Sequence, residues 1–231
     1  MRLLLIRHAQ TPDNVEGNIG TVIPGPGLTA LGHEQAGAIP AAIEGEDIQA
    51  IYVSTMVRTA LTAAPLAAAR GLEARVIEGI QEIGAGDFEG RSDRESIHAY
   101  MGTIISWWQD SSARIPGSEN GNEFFARFTE AVARIADSHD GTVVIVSHGA
   151  SLRTWASATS RNIDAEFSRT HDLPQHGDDR ARGVAGGGLG RDALGRRARG
   201  RRPTRRPDGD RPHRSGGLTR PVRVSRRAQI S

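Results

Sequence analysis

The sequence contains no cysteine and no lysine, and aromatic residues make up only 4% of its 231 residues. Without cysteine the chain forms no disulfide, has no thiolate to bind a metal ion and has no cysteine nucleophile. Long apolar runs are also missing: Leu3–Ile6 is too short for a signal peptide or a membrane span. We therefore expect a cytoplasmic protein with no membrane segment.

All 29 basic residues are arginine, which points to a GC-rich coding sequence rather than to a chemical requirement. The formal net charge of +2 hides two parts of opposite sign. Residues 1–173 hold 13 arginines against 22 acidic residues, and residues 174–231 hold 16 against 5, so the parts carry −9 and +11. We predict a domain boundary at this change of composition.

Residues 1–173 alternate short aliphatic runs with longer stretches of helical pattern, which is typical of a parallel sheet flanked by helices. Strands are predicted at Arg2–Ile6, Ala50–Ser54, Arg75–Ile77 and Thr142–Ser147. Helices are predicted at Leu31–Ile43, Val57–Arg70, 93–109, 121–138 and after Gly149. The predicted fold class is therefore α/β.

Charged and histidine side chains gather at the ends of the predicted strands. Arg7 and His8 follow the first strand, Arg58 begins the helix after the second, and Glu82 and His148 follow the last two. Because ligands bind beyond the carboxyl ends of parallel strands, we expect these side chains to converge. Two arginines can clamp a phosphate, a neutral imidazole can attack phosphorus, and a carboxylic acid can protonate the leaving alkoxide. The pattern indicates phosphoryl transfer through a histidine, and the second histidine can donate to a phosphate oxygen.

Five motifs, in the same order along the chain, resemble those of the histidine phosphatase superfamily, which includes the cofactor-dependent phosphoglycerate mutases. They are Arg7-His8-Ala9-Gln10-Thr11 with Asn14, Leu28-Thr29-x-x-Gly32-x-x-Gln35-Ala36, Ser54-x-x-x-Arg58-Thr59, Glu82 before Gly86-Asp87-Phe88-Glu89-Gly90, and Val146-Ser147-His148-Gly149. The resemblance implies a phosphoglycerate mutase-like fold, a three-layer α/β sandwich with a mostly parallel central sheet.

The resemblance also implies roles for the matched residues. His8 is the phosphorylated nucleophile and Glu82 is the proton donor. Asn14 and Gly149 are further substrate contacts. The catalytic set comprises Arg7, His8, Arg58, Glu82 and His148, and the substrate-binding set comprises Arg7, Asn14, Arg58, His148 and Gly149. Neither a metal nor a cofactor is implied, and the expected partner is a phosphorylated small molecule.

Two departures from the family pattern favour a phosphatase over a mutase. In the glycolytic mutases an arginine follows the glutamate and helps to bind phosphoglycerate, whereas Ile83 follows Glu82 here. The loop Thr21–Gly27 also lacks the arginine and aromatic residues that are usual there. A mutase must exclude water until the acceptor hydroxyl arrives, which requires additional basic groups. We expect a metal-independent phosphomonoesterase with a small phosphorylated metabolite as substrate, and a cofactor-dependent phosphoglycerate mutase is the alternative.

Residues 174–231 lack the periodicity and apolar content of a folded domain. They contain 11 glycines, 16 arginines and no aromatic residue, so we expect a disordered tail. Three interpretations compete. The tail is an arm that binds nucleic acid through basic blocks such as 196–202, on a catalytically weak protein; it is an inert linker; or it is the product of a frameshift in a GC-rich gene.

A one-base shift favours the last interpretation. With suitable codons, Gln175–Gly183 becomes Asn-Thr-Gly-Met-Ile-Val-Leu-Glu in the shifted frame, a turn and an apolar strand that resemble the family's segment at this point. We therefore predict that the phosphatase domain of residues 1–173 lacks its final strand, which leaves a sheet edge unpaired. On this interpretation we do not expect the tail to bind nucleic acid.

Overall fold

The computed structural model of the chain describes residues 1–159 and 223–224. The predictions for 174–222 and 225–231 lie outside the described residues. The strands are β1 Arg2–Arg7, β2 Ile48–Val53, β3 Ala74–Val76, β4 Thr142–Ser147 and β5 Arg223–Val224. The helices are α1 Pro12–Glu16, α2 Ala30–Ala42, α3 Val57–Arg70, α4 Arg94–Ser106, α5 Gly121–Ser138 and α6 Gly149–Thr159, with a short 3₁₀ helix at Gly86–Phe88.

The strands form one sheet in the order β3-β2-β4-β1-β5, and every pairing is parallel. The central strand β4 pairs with β1 along its whole length, from Arg2 opposite Thr142 to Arg7 opposite Ser147. Since all strands run in one direction, their carboxyl ends meet at one edge of the sheet. The predicted α/β class is confirmed. The strand ends that carry the predicted site residues all lie at the same edge of the sheet.

The strand β5 lies at one edge of the sheet, beside β1. It pairs with Arg2 and Leu3, two of the six residues of β1. Along Leu4–Arg7 the described part of the chain supplies no partner strand on that side. The absence of a full final strand therefore stays a prediction.

Helices cover both faces of the sheet, and successive strand residues enter different cores. One core combines strand residues with α4, α5 and α6 and includes Leu3, Ile145, Tyr100, Phe124, Phe128 and Trp155. The other combines them with α2 and α3 and includes Leu4, Val144, Ile39, Ala63 and Leu66. Because both faces are buried, β1 and β4 read as continuous apolar runs rather than as alternating ones. The arrangement is the predicted three-layer sandwich.

Local capping signals fix several helix boundaries. The hydroxyl of Thr29 accepts a hydrogen bond from the amide of the third residue of α2, and Gly71 ends α3 in the left-handed conformation. Thr11 and Asn14 form a capping box at the start of the short helix Pro12–Glu16, which is not among the helices predicted from the sequence. Among the helices that the structure describes, none has the length and apolar composition needed to cross a membrane.

Candidate active site

Two histidines lie side by side at the carboxyl ends of the neighbouring strands β1 and β4. The ring centroids of His8 and His148 are 5.2 Å apart. The amide of His8 donates to the carbonyl of Ser147 at 2.9 Å, which extends the pairing of the two strands by one residue. The parallel pairing therefore sets both the spacing and the depth of the two rings.

The hydrogen bonds of His8 define which ring nitrogen can react. Its Nδ1 lies 2.8 Å from the carbonyl oxygen of Ala9, an acceptor, so Nδ1 carries the proton and Nε2 keeps its lone pair. Burial lowers the pKa of His8 to about 3, and the charges of Arg58 and Arg7 act in the same direction, against the opposing effect of the Ala9 bond. At neutral pH the ring is an uncharged imidazole with a nucleophilic Nε2.

Arg58 is a buried cation, and within the described part of the chain one of its nitrogens has no hydrogen-bond acceptor. Its Nε donates to Nδ1 of His148 at 3.3 Å, and Nη2 donates to the carbonyl of Gly20 at 3.1 Å. Nη1 is buried and has no hydrogen-bond partner among the described residues. Burial lowers the pKa of Arg58, but an arginine stays charged at neutral pH. Since buried N–H groups are almost always satisfied, Nη1 marks a position for an anionic acceptor.

His148 is fully buried, and protein groups occupy both of its ring nitrogens. Nδ1 accepts from Arg58, so Nε2 carries the proton and donates to Oγ of Ser54 at 2.8 Å. Burial holds the pKa of His148 well below its usual range. In this arrangement His148 orients the Arg58 guanidinium, a contact that the sequence did not predict, and its predicted hydrogen bond to a phosphate oxygen stays a prediction.

Two glycines let the backbone approach the two arginines closely. A Cβ on Gly149 would lie 3.0 Å from Nε of Arg7, and a Cβ on Gly25 would lie 2.7 Å from Nη1 of Arg58. Gly25 also has a φ of 71°, which disfavours any other residue. Gly149 thus makes room for the Arg7 guanidinium, while its direct contact with substrate stays a prediction.

The N terminus of α6 holds the carboxylate of Glu82. Oε1 accepts from the amides of Ser151 at 2.8 Å and Ile83 at 2.9 Å, and Oε2 accepts from the amide of Ala150 at 3.1 Å. These helix amides have no acceptor within the helix, so the carboxylate satisfies them. Because α6 begins directly after His148, the same helix start links Glu82 to the histidine pair.

Asn14 is half-buried at the start of α1. Its Oδ1 accepts from the amide of Thr11 at 3.1 Å as part of the capping box. The remaining polar group of this side chain is the NH₂, the end that can donate to an anion. The predicted phosphate contact of Asn14 stays a prediction, now assigned to that group.

Comparison with known proteins assigns the chain to a family. A family model described as the histidine phosphatase superfamily (branch 1) matches residues 3–177. The chain belongs to the histidine phosphatase superfamily. The family and the enzyme class predicted from the strand-end motifs are confirmed.

Members of this superfamily with a known activity are among its relatives. The adenosylcobalamin/alpha-ribazole phosphatase of Escherichia coli is 31% identical over 150 residues, covering 64% of this chain and 73% of that protein. A PE-PGRS family protein of Mycobacterium tuberculosis is 36% identical over 190 residues, and this chain spans only 32% of its length. The structure of a mycobacterial glucosyl-3-phosphoglycerate phosphatase in complex with VO3 superposes with a TM-score of 0.61 at 26% identity, covering 74% of this chain and 85% of that one.

One residue that contacts the Glu82 segment was missed in the sequence. Arg127 in α5 donates to the carbonyl of Glu82 at 3.1 Å and forms an ion pair with Glu119. The available signal was its position on the helix, because Arg127 lies between the buried Phe124 and Phe128 on the face that packs against the core. A charged residue on such a face needs partners, and here they belong to the segment that carries Glu82.

Proposed function

We propose that the chain hydrolyses phosphate monoesters of small metabolites through a phosphohistidine at His8. The observation that carries the proposal is a neutral imidazole beside a buried cation with an unsatisfied donor. His8 presents a bare Nε2, and Nη1 of Arg58 has no acceptor among the described residues. A phosphate group supplies an acceptor for the arginine and an electrophile for the histidine.

The two arginines bind the phosphate of the substrate. Arg7 ends β1 immediately before His8, and the charge of each guanidinium reaches the His8 ring, where it lowers the pKa. Charge on the oxygens of the transferring phosphoryl group is then neutralised by fixed cations rather than by water. His148 contributes by holding Nε of Arg58.

Glu82 moves the protons in both chemical steps. In the first step Nε2 of His8 bonds to phosphorus, the bond to the alcohol oxygen breaks, and protonated Glu82 gives its proton to the leaving alkoxide. In the second step the Glu82 carboxylate takes a proton from water, the water oxygen bonds to phosphorus, and the bond to His8 breaks. The products are the alcohol and inorganic phosphate, and the site returns to its starting state.

Hydrolysis is favoured over mutase chemistry by the position after Glu82. The side chain there, Ile83, is fully buried in the core. It therefore offers no charge to a phosphoglycerate carboxylate. The named activities of the relatives, an alpha-ribazole phosphatase and a glucosyl-3-phosphoglycerate phosphatase, support the same choice and a small phosphorylated metabolite as substrate.

Rapid acid-free quenching with a radiolabelled phosphomonoester tests the mechanism. We expect the radiolabel on His8, and we expect acid treatment to remove it. The release of inorganic phosphate should continue in the presence of a chelator. His8→Ala abolishes both signals, whereas His33→Ala, which removes an exposed histidine from α2, leaves them unchanged. Chelator-sensitive activity, or label on another residue, would contradict the proposal. Interconversion of 2- and 3-phosphoglycerate that depends on a bisphosphate primer would identify a mutase instead.

A further inference from the structure

Among the described residues, no backbone amide donates a hydrogen bond to the carbonyls of residues 78–83, the segment that contains Glu82. Between Ile77 and the 3₁₀ helix it forms neither strand nor helix, yet side chains satisfy its carbonyl groups one after another. Ser147 donates to Ile80 at 2.6 Å, and Tyr100 donates to Ile83 at 2.8 Å. Buried carbonyls require donors, and here these come from distant elements rather than from a ladder.

Arg127 is the centre of this arrangement. All five N–H groups of its guanidinium are used: Nη1 donates to Gly79 at 2.8 Å and to Gln81 at 3.0 Å, and Nη2 donates to Glu82 at 3.1 Å. The remaining two bonds reach Glu119, from Nε at 2.7 Å and from Nη2 at 2.6 Å. The planar guanidinium thus fixes three carbonyls and one carboxylate at once, a task that needs its rigid fork of donors.

Glu119 attaches the other side of the same loop. Its Oε1 accepts from the amide of Gly84 at 3.1 Å in addition to the Arg127 contact. The side chains of Arg127 and Glu119 are only 21% and 15% exposed, so water does not replace these bonds readily. Together the pair holds the backbone on both sides of Glu82, from residue 79 to residue 84.

We infer that Arg127, held by Glu119, is a positioning residue that aims the Glu82 carboxyl at the leaving-group oxygen of the substrate. The inference rests on the proposed function, in which Glu82 is the proton donor. Arg127 contacts the main chain of Glu82 and leaves its carboxylate to the amides of α6. Proton transfer depends steeply on the placement of the donor, so loosening the loop slows the step that needs the proton.

The test compares two leaving groups, because only one of them needs the proton. A nitrophenolate leaves without assistance, whereas a primary alkoxide leaves only when protonated. We expect Arg127→Gln and Glu119→Gln to lower kcat/KM for an alkyl phosphate at least about tenfold more than for p-nitrophenyl phosphate, in the same direction as Glu82→Gln. Arg127→Lys should fall between these variants and the unchanged chain, because an ammonium has three donors instead of five.

Arg134 is a matched control on the same helix. Its Nη2 donates to the carbonyl of Glu78 at 2.9 Å, just before the Arg127-bound stretch, and its side chain is half exposed. Arg134→Gln should leave the ratio of the two kcat/KM values unchanged.

If the Arg127 and Glu119 variants lose kcat/KM equally for both substrates, the inference is wrong and the two residues have only a structural role. If Arg127→Gln fails to fold, Glu119→Gln and Arg127→Lys decide the question by the same ratio. A Glu82→Gln variant that shows no difference between the substrates would instead refute the proposed role of Glu82, so the two failures are distinguishable.

Discussion

His8 should stay a neutral imidazole at a pH where an ordinary histidine is almost fully protonated. At pH 5 a pKa of about 6.5 leaves about 97% of the rings protonated, whereas a pKa of about 3 leaves about 1%. His8 is only 8% exposed, and its Nδ1 donates to the Ala9 carbonyl. The structure therefore predicts a neutral Nδ1–H form of His8 from neutral pH down to about pH 4.

Two-dimensional NMR of the imidazole nitrogens measures this directly, with a His8→Asn chain to identify the signal. Arg58→Met separates the causes, since methionine keeps the site apolar and removes the charge. Burial is the largest cause and Arg58 the second, so the pKa of His8 in this variant should rise and still stay below 6.5. A His8 midpoint near 6.5 in the unchanged chain would refute the reasoning.

The same shift makes stability depend on pH. Between pH 6.5 and about 3 the unfolded chain binds a proton on His8 that the folded chain does not. As pH falls through this window, proton binding to His8 stabilises the unfolded state relative to the folded state. The free energy of unfolding therefore decreases progressively. Urea denaturation at several pH values should show a smaller decline for His8→Asn than for the unchanged chain.

Two substitutions test the contacts around the arginines. Ser54→Ala leaves the Nε2 proton of buried His148 without its acceptor, so the free energy of unfolding should fall by about 1–3 kcal/mol in urea denaturation, whereas the exposed Ser138→Ala should change it little. An unchanged midpoint for the first variant would contradict the assigned bond. Gly149→Ala forces the neighbouring guanidinium at the end of β1 to move and should lower kcat/KM about tenfold or more, while Gly102→Ala, which has open space in α4, serves as its control. Equal kinetics for the two would show that this close approach does not matter.

Most of the fold and the membership of the site followed from local patterns. Parallel strands buried on both faces give continuous apolar runs, and β1 and β4 were predicted within a residue of their bounds. Their common direction also placed Arg7, His8 and His148 at one edge without any structural information. The start of β2 was misplaced by two residues, because its pairing with β4 shifts register between Ile48 and Ala50.

The sequence alone thus determined the family, the layers of the fold and the residues that gather at the strand ends, because these depend on periodicity and chain order. Only the tertiary structure decided how they can act. The uncharged ring of His8 depends on burial, and the placement of His148, Arg58 and Glu82 depends on hydrogen bonds between residues 45 to 94 positions apart. Such partners leave no local pattern, since a donor and its acceptor meet only after the sheet and its helices have packed.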